Sequence, residues 1–209
     1  GSGKSFLAHK IARKEKRLLI MDIHNQAQFR TGQNDLVTTS GAAVKDAFLS
    51  SKGSAKKHVL WQIDPMQDLS AVFLWLATLA VIAGRENKSF AVLPDESETF
   101  LPRGENISSK PMSNGKLDPR FILAKHGRHV KTPLYLTMQR PTEFHPVIRG
   151  NVSTWHIFAS ADPTYIGAVT PLIGQKDNEF VKQFEGKPKY SYVYKGPNQA
   201  AKFMSPYKK

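Results

Sequence analysis

Short apolar runs of strand length alternate with helix-period segments along most of the chain, and that alternation limits the fold more than any other feature. Residues 17–23, Arg17-Leu18-Leu19-Ile20-Met21-Asp22-Ile23, are apolar at nearly every position, as expected of a strand with both faces buried in a parallel sheet. Residues 58–63, 89–93, 132–138 and 154–159 repeat the pattern, and 35–40 reads as a shorter strand. Helix-period segments lie between them at 5–16, 41–51, 69–83, 118–126, 143–149, 163–172 and 178–184. Gly84 and Gly127 stand where two of these helices are expected to stop. The expectation is an α/β fold: a mostly parallel central sheet with helices on both faces. Residues 51–57 read as a charged turn, 101–119 as a long surface loop, 190–194 as a final strand and 195–209 as a loose basic tail. No internal boundary is visible, so residues 1–209 are read as a single domain.

The chain opens on Gly1-Ser2-Gly3-Lys4-Ser5, the second half of a phosphate-binding loop, G-x-x-x-x-G-K-S/T. The motif's first glycine would lie five residues before Gly3, and the strand that should feed the loop is missing from the chain. Taken alone, the five residues read equally well as a tag scar. A helix opening directly after them is nonetheless what phosphate binding requires, because its unpaired N–H groups and positive dipole end face the anion.

A phosphate loop needs a carboxylate at the end of a buried strand to hold Mg²⁺ opposite the loop hydroxyl. Phe90-Ala91-Val92-Leu93-Pro94-Asp95-Glu96 supplies one. Asp95 is the metal-side carboxylate beside Ser5, and Glu96 is the base or water-positioning group. Gln139, at the end of the 132–138 strand, can reach a terminal phosphate or the water attacking it, although a capped strand end reads the same way. Arg128, in His126-Gly127-Arg128-His129, is the first candidate for an arginine supplied to a neighbouring subunit's site, with Arg149 and Arg140 behind it. A basic surface loop is the competing reading. His126 and His129 share a helix face, but no third ligand stands close enough in sequence to make zinc a strong reading. Lone His145 and His156 read as packing or capping groups, while Asp22 and Asp64 end strands as caps or supporting carboxylates.

The net charge is +13, from 30 basic and 17 acidic side chains, which favours a polyanionic partner, nucleic acid before an anionic membrane surface. Residues 176–209 hold eight lysines interleaved with aromatics, among them Tyr190, Tyr192 and Tyr194. Such a surface could follow a phosphate backbone without reading sequence, though the three tyrosines also read as one face of an edge strand. The chain has no cysteine, which excludes disulfides and thiolate metal sites. The apolar stretch 69–83 is shorter than the roughly 18–20 residues that span a bilayer and reads as a buried helix.

The order Gly3-Lys4-Ser5, Asp95-Glu96, His126-Gly127-Arg128-His129, Gln139-Arg140-Pro141 and Ile148-Arg149-Gly150-Asn151 resembles the FtsK–HerA superfamily of P-loop ATPases. Within it, the chain is most similar to viral genome-packaging ATPases, with the zonula occludens toxin-like assembly proteins of filamentous phages as relatives. The first two motifs are shared by many P-loop proteins, whereas the Gln-Arg-Pro strand end and the Arg-His segment are more specific. The resemblance spans residues 1 to about 185 and implies a RecA-like sheet, a ring, usually a hexamer, and ATP-driven movement of double-stranded DNA. It implies ATP and Mg²⁺ as cofactors. Lys4 and Ser5 would bind phosphates and metal, Asp95 would support the metal, Glu96 would activate water, Gln139 would be a sensor, and Arg128 would act in trans. A viral packaging motor, virion-associated or in the host cytoplasm and meeting capsid-vertex or membrane proteins, is the expectation. A phage-extrusion ATPase and a non-catalytic basic DNA-binding scaffold are the alternatives.

Overall fold

A computed structural model describes residues 3–25, 34–50 and 57–206. Gly1, Ser2 and residues 51–56 of the turn expected at 51–57 lie outside the described residues, and Lys57 already belongs to a strand.

The elements follow the alternation read from the sequence. They run α1 (Lys4–Ala12), β1 (Arg17–Asp22), β2 (Leu36–Thr38), α2 (Gly41–Leu49), β3 (Lys57–Gln62), α3 (Leu69–Arg85), β4 (Ala91–Pro94), α4 (Ser97–Phe100) and α5 (Pro119–Val130). After these come α6 (Pro146–Arg149), β5 (Trp155–Phe158), α7 (Pro163–Ile173), α8 (Asp177–Lys182), β6 (Tyr192–Lys195) and β7 (Lys202–Met204). Strands β2-β3-β1-β4 form a parallel sheet with β1 and β3 in the middle.

Every residue of β1 is buried, and its side chains divide between two cores with the period-two alternation of a strand. Leu18 and Ile20 join Ala12, Leu60, Ala91 and Leu93 beneath α1. Leu19 and Met21 face the larger cluster formed with α2, α3 and α5. This RecA-like arrangement, a parallel sheet flanked by helices, is the expected fold class. Arg17 anchors the lower edge of the sheet: its guanidinium donates to the carbonyl of Phe48 at 2.8 Å and to that of Lys88. The ends of α2 and α3 are thereby tied to the start of β1.

Residues 132–138, expected as a strand, run beside β4 but form only an isolated parallel bridge, Val92 to Leu134. Two backbone bonds hold them there: Val92 N–H to the Pro133 carbonyl at 2.9 Å and Tyr135 N–H to the Val92 carbonyl at 2.8 Å. Pro133 has no N–H, so a longer ladder is interrupted where the segment begins.

The last three strands depart from the expectation. β5, β6 and β7 form a separate antiparallel sheet with β6 at its centre. Residues 190–194 are therefore not a final edge strand, and β7 lies within the segment expected to be loose. This sheet packs on both sides. Ile157 and Val193 meet α7 and α8 through Tyr165, Ile166, Val169, Ile173 and Phe180. Phe158 and Tyr192 meet Leu7 of α1. Helix α1 is thus held between the two sheets, and its N-terminus opens between them.

Two glycines read as helix stops lie inside helices. α3 continues through Gly84, where a Cβ would overlap the Val130 carbonyl oxygen; the glycine permits close packing of α3 on α5. α5 kinks at His126, passes through Gly127 and ends at Lys131, which takes the left-handed conformation. The 101–118 loop is pinned rather than loose. Arg120 donates to Asp118 at 2.8 Å, to Glu105 at 3.1 Å, to Ser70 at 3.0 Å and to the Asn106 carbonyl. Among the described residues no helix is long and apolar enough to cross a membrane.

Candidate functional site

Gly3 caps α1 with φ of 83°, a left-handed conformation that glycine adopts without steric cost. No side chain caps this helix end, so its first N–H groups remain available to an anion. Ser5, in the first turn, donates its hydroxyl to Asp95 Oδ1 at 2.9 Å across the mouth of the sheet. Asp95 follows β4 directly and is 1 % exposed. Its position is set by the parallel ladder, since its N–H donates to the Met21 carbonyl at 3.0 Å.

Thr137 joins the next two groups. Its hydroxyl donates to Asp95 Oδ1 at 2.9 Å and accepts the Glu96 N–H at 3.0 Å. Glu96 has φ of 52°, a strained conformation for a residue bearing a Cβ. Its carboxylate meets His24 Nε2 through Oε2 at 2.7 Å, and Gln139 Nε2 donates to Oε1. His24 reaches Glu96 through a turn after β1, in which its N–H donates to Asp22 Oδ1 at 3.0 Å. Glu98 completes the frame: Oε1 accepts the N–H groups of Gln139 at 2.7 Å and Arg140 at 3.2 Å.

The electrostatics follow from this crowding. Burial pushes the Lys4 ammonium pKa down, against the opposing pull of Glu98, Glu96 and Asp95. Burial likewise pushes the Glu98 carboxyl up, with its Oε2 buried and unbonded, while the hydrogen bond to Glu96 raises the His24 imidazole. Lys4 at the α1 N-terminus therefore lies within reach of the fields of Asp95, Glu96 and Glu98.

The structure brings Gly3, Lys4, Ser5, Asp95, Glu96 and Gln139 together. Among the described residues it brings no arginine into these hydrogen bonds. Arg149 donates to the Pro141 carbonyl at 2.8 Å and so braces the Gln139-Arg140-Pro141 strand end. Arg140 pairs with Glu143 at 3.1 Å. Arg128 is exposed near the end of α5 and joins none of the hydrogen bonds around Asp95 and Glu96.

His145 caps α6 by accepting the Val147 N–H, and Asp64 accepts the Met66 N–H in the turn after β3. His156 packs between the rings of Tyr192 and Tyr194. Among the described residues no group of three His, Cys, Asp or Glu that could hold a metal ion forms around His126 and His129.

Sequence reasoning missed Thr137, Glu98 and His24. Thr137 lies two residues before Gln139, on the same strand face, and that spacing could have found it. Nothing in the local pattern marks His24, which arrives from a polar loop.

No family model and no curated sequence matches the chain. Solved structures do. The chain shares its fold with viral genome-packaging NTPases. The genome packaging NTPase B204 of Sulfolobus turreted icosahedral virus 2, in complex with sulfate, aligns over 100 % of this chain and 92 % of its own at 16 % identity and TM-score 0.71. The same protein in complex with ATP-γS aligns over 99 % and 93 % at 18 % identity and TM-score 0.69. B204 of Sulfolobus turreted icosahedral virus, a DNA-packaging ATPase, aligns over 98 % and 90 % at 14 % identity and TM-score 0.67.

Proposed function

We propose that the chain is a single ATPase domain, residues 1–209, that hydrolyses ATP to drive double-stranded DNA into a preformed viral capsid. The observation that carries this reading is the continuous set of hydrogen bonds Ser5–Asp95–Thr137–Glu96–Gln139 at the uncapped N-terminus of α1. The fold shared with packaging NTPases that bind ATP-γS supports it, as does the net charge of +13.

Gly1, Ser2, Gly3, Lys4 and Ser5 hold the phosphates, through backbone N–H groups and the Lys4 ammonium. A hydroxyl and a carboxylate converging at 2.9 Å suit Mg²⁺, which takes hard oxygen ligands and keeps several of its waters. Ser5 and Asp95 are the residues that would hold it, and when bound it supplies charge neutralisation on the phosphate oxygens. Glu96 accepts a proton from the water whose oxygen attacks the terminal phosphorus, as the bond from that phosphorus to ADP breaks. Gln139, whose amide donates to Glu96, exchanges that contact for the terminal phosphate or the attacking water. His24 keeps its hold on the other carboxylate oxygen meanwhile. Arg128 of one subunit enters the site of the next in a ring, usually six-membered in such motors, and stabilises transition-state charge. Capsid-vertex or membrane proteins are the expected neighbours, in the virion or the host cytoplasm.

The test is ATP hydrolysis by the full-length protein with and without duplex DNA. DNA stimulates the wild type, and Lys4→Ala and Glu96→Gln each abolish turnover. Normal turnover in Glu96→Gln sinks the assignment of the base. DNA binding that is steeply salt-dependent and indifferent to nucleotide identifies a non-catalytic scaffold instead.

A further inference from the structure

The group of Asp95, Glu96 and Gln139 at the α1 N-terminus suits a terminal phosphate with its metal. The antiparallel sheet packs on α1 through Leu7, Phe158 and Tyr192, and the turn leading into it sets Tyr190 against the phosphate-loop glycine.

Three features set Tyr190 apart. It stands on the turn that leads into β6 with φ of 72°, a left-handed conformation that is strained for a non-glycine residue. The turn is held against that strain: Ser191 donates both its N–H, at 3.2 Å, and its hydroxyl, at 2.8 Å, to the Pro188 carbonyl, and Tyr192 is buried against Phe158 and Leu7. The ring itself is not buried for its own sake, because the residue remains 43 % exposed. It lies directly on the phosphate-loop glycine, where a Cβ on Gly3 would come within 2.9 Å of Tyr190 Cδ1. Lys189 holds its ammonium over the ring, 5.2 Å from the centroid, on a flexible four-carbon stem that can yield the face to a base. An exposed aromatic ring, fixed by a strained backbone against the phosphate loop and flanked by a cation, is suited to a flat aromatic group attached to phosphates.

We propose that Tyr190 is the nucleobase platform of the site: the purine of a nucleoside triphosphate stacks on its ring, with Lys189 beside it. Stacking uses the π-face common to all bases, so the platform favours purine over pyrimidine nucleotides by overlap area and leaves adenine and guanine to be distinguished elsewhere. The inference rests on the ATP-binding reading above.

The experiment titrates full-length protein with ATP and, separately, with inorganic tripolyphosphate, which carries the phosphates without the base. The wild type binds both. Tyr190→Ala weakens ATP roughly tenfold, the scale of losing one stacked base, and leaves tripolyphosphate unchanged. Tyr190→Gly, which relieves the backbone strain, shows the same selective loss, and Tyr190→Phe restores ATP affinity. Unchanged ATP affinity in the alanine or glycine variant overturns the proposal while leaving the nucleotide site intact. So does an equal loss of both ligands, which marks Tyr190 as a support for Gly3 alone, or a failure of phenylalanine to rescue. A wild type that binds neither ligand removes the ATP-binding reading itself, and the platform with it.

Discussion

Replacing Thr137 by valine tests the centre of the site with almost no change in shape. The residue is 6 % exposed, and its hydroxyl makes two contacts that valine cannot: donation to Asp95 Oδ1 at 2.9 Å and acceptance from the Glu96 N–H at 3.0 Å. The bond to a charged carboxylate is worth about 1.5–3 kcal/mol, and orphaning the partly buried Glu96 N–H costs at most about 1–3 kcal/mol. Asp95 keeps Ser5 and Glu96 can shift, so the two losses do not add in full, and a net destabilisation of about 2–4 kcal/mol is expected. The Glu96 N–H is also what holds that residue at φ of 52°. Once released, its carboxylate wanders by a fraction of an ångström or more, which lowers kcat about tenfold to a hundredfold. KM for ATP stays near the wild-type value, because Lys4 and the α1 N-terminus are untouched. Urea unfolding gives the first quantity and steady-state hydrolysis the second. A stability change below about 0.5 kcal/mol would show that the hydroxyl is not carrying these bonds. A large stability loss with kcat intact would refute the claim that Thr137 aims Glu96.

Three further outcomes follow from the geometry. Gly84→Ala drives a methyl into the Val130 carbonyl and to 2.9 Å from Val130 Cβ, so α3 and α5 must separate, with a stability loss of about 1–3 kcal/mol or more in thermal or urea unfolding. Burial, reinforced by Arg13 and His58, lowers the His9 imidazole pKa from 6.5 to about 4, and Arg13 Nε donates to its Nε2. The neutral ring is therefore favoured in the folded protein: stability is full above pH 6.5 and is lost as pH falls towards 4. At about 1.4 kcal/mol per unit the ceiling is about 3 kcal/mol, and His9→Gln should flatten that limb of a urea-midpoint profile measured from pH 7 to 4. Mixed Lys4→Ala and Arg128→Ala subunits should recover ATPase activity that neither has alone; activity that merely tracks the wild-type fraction removes the trans role of Arg128.

What could be read in advance follows from which interactions are local. The alternation within β1 is visible because each side chain must enter one of two buried faces, and no polar position interrupts it. Asp95, Glu96 and Gln139 are visible because each ends a run whose burial is itself legible. The pairing of β5, β6 and β7 is not, because a short strand reads the same whether its neighbour runs parallel or antiparallel. Gly84 and Gly127 mislead for a related reason: a helix stop and a close helix contact both require the absence of a Cβ, and only the fold places Val130 against Gly84. His24 is the deepest omission. Its contact with Glu96 spans 72 positions and depends on the turn that Asp22 builds at the end of β1.

On the proposed reading, the same geometry gives a subunit reason to need its neighbour. Around the α1 N-terminus the protein supplies Lys4 as the cation and Asp95, Glu96 and Glu98 as carboxylates. A triphosphate adds negative charge to that surplus, and transfer of its terminal phosphoryl group spreads charge further over the equatorial oxygens. A divalent metal at Ser5 and Asp95 offsets part of it, but the metal sits to one side. The nearest arginines in sequence to Gln139 are already engaged: Arg149 braces the Pro141 carbonyl and Arg140 pairs with Glu143. Moving Arg149 inward would loosen the segment that carries Gln139. Arg128, exposed beyond the kink at His126, can be offered outward with no such penalty. On the proposed reading, hydrolysis therefore depends on a neighbouring subunit, and the coupling of turnover to assembly has its origin in that missing charge.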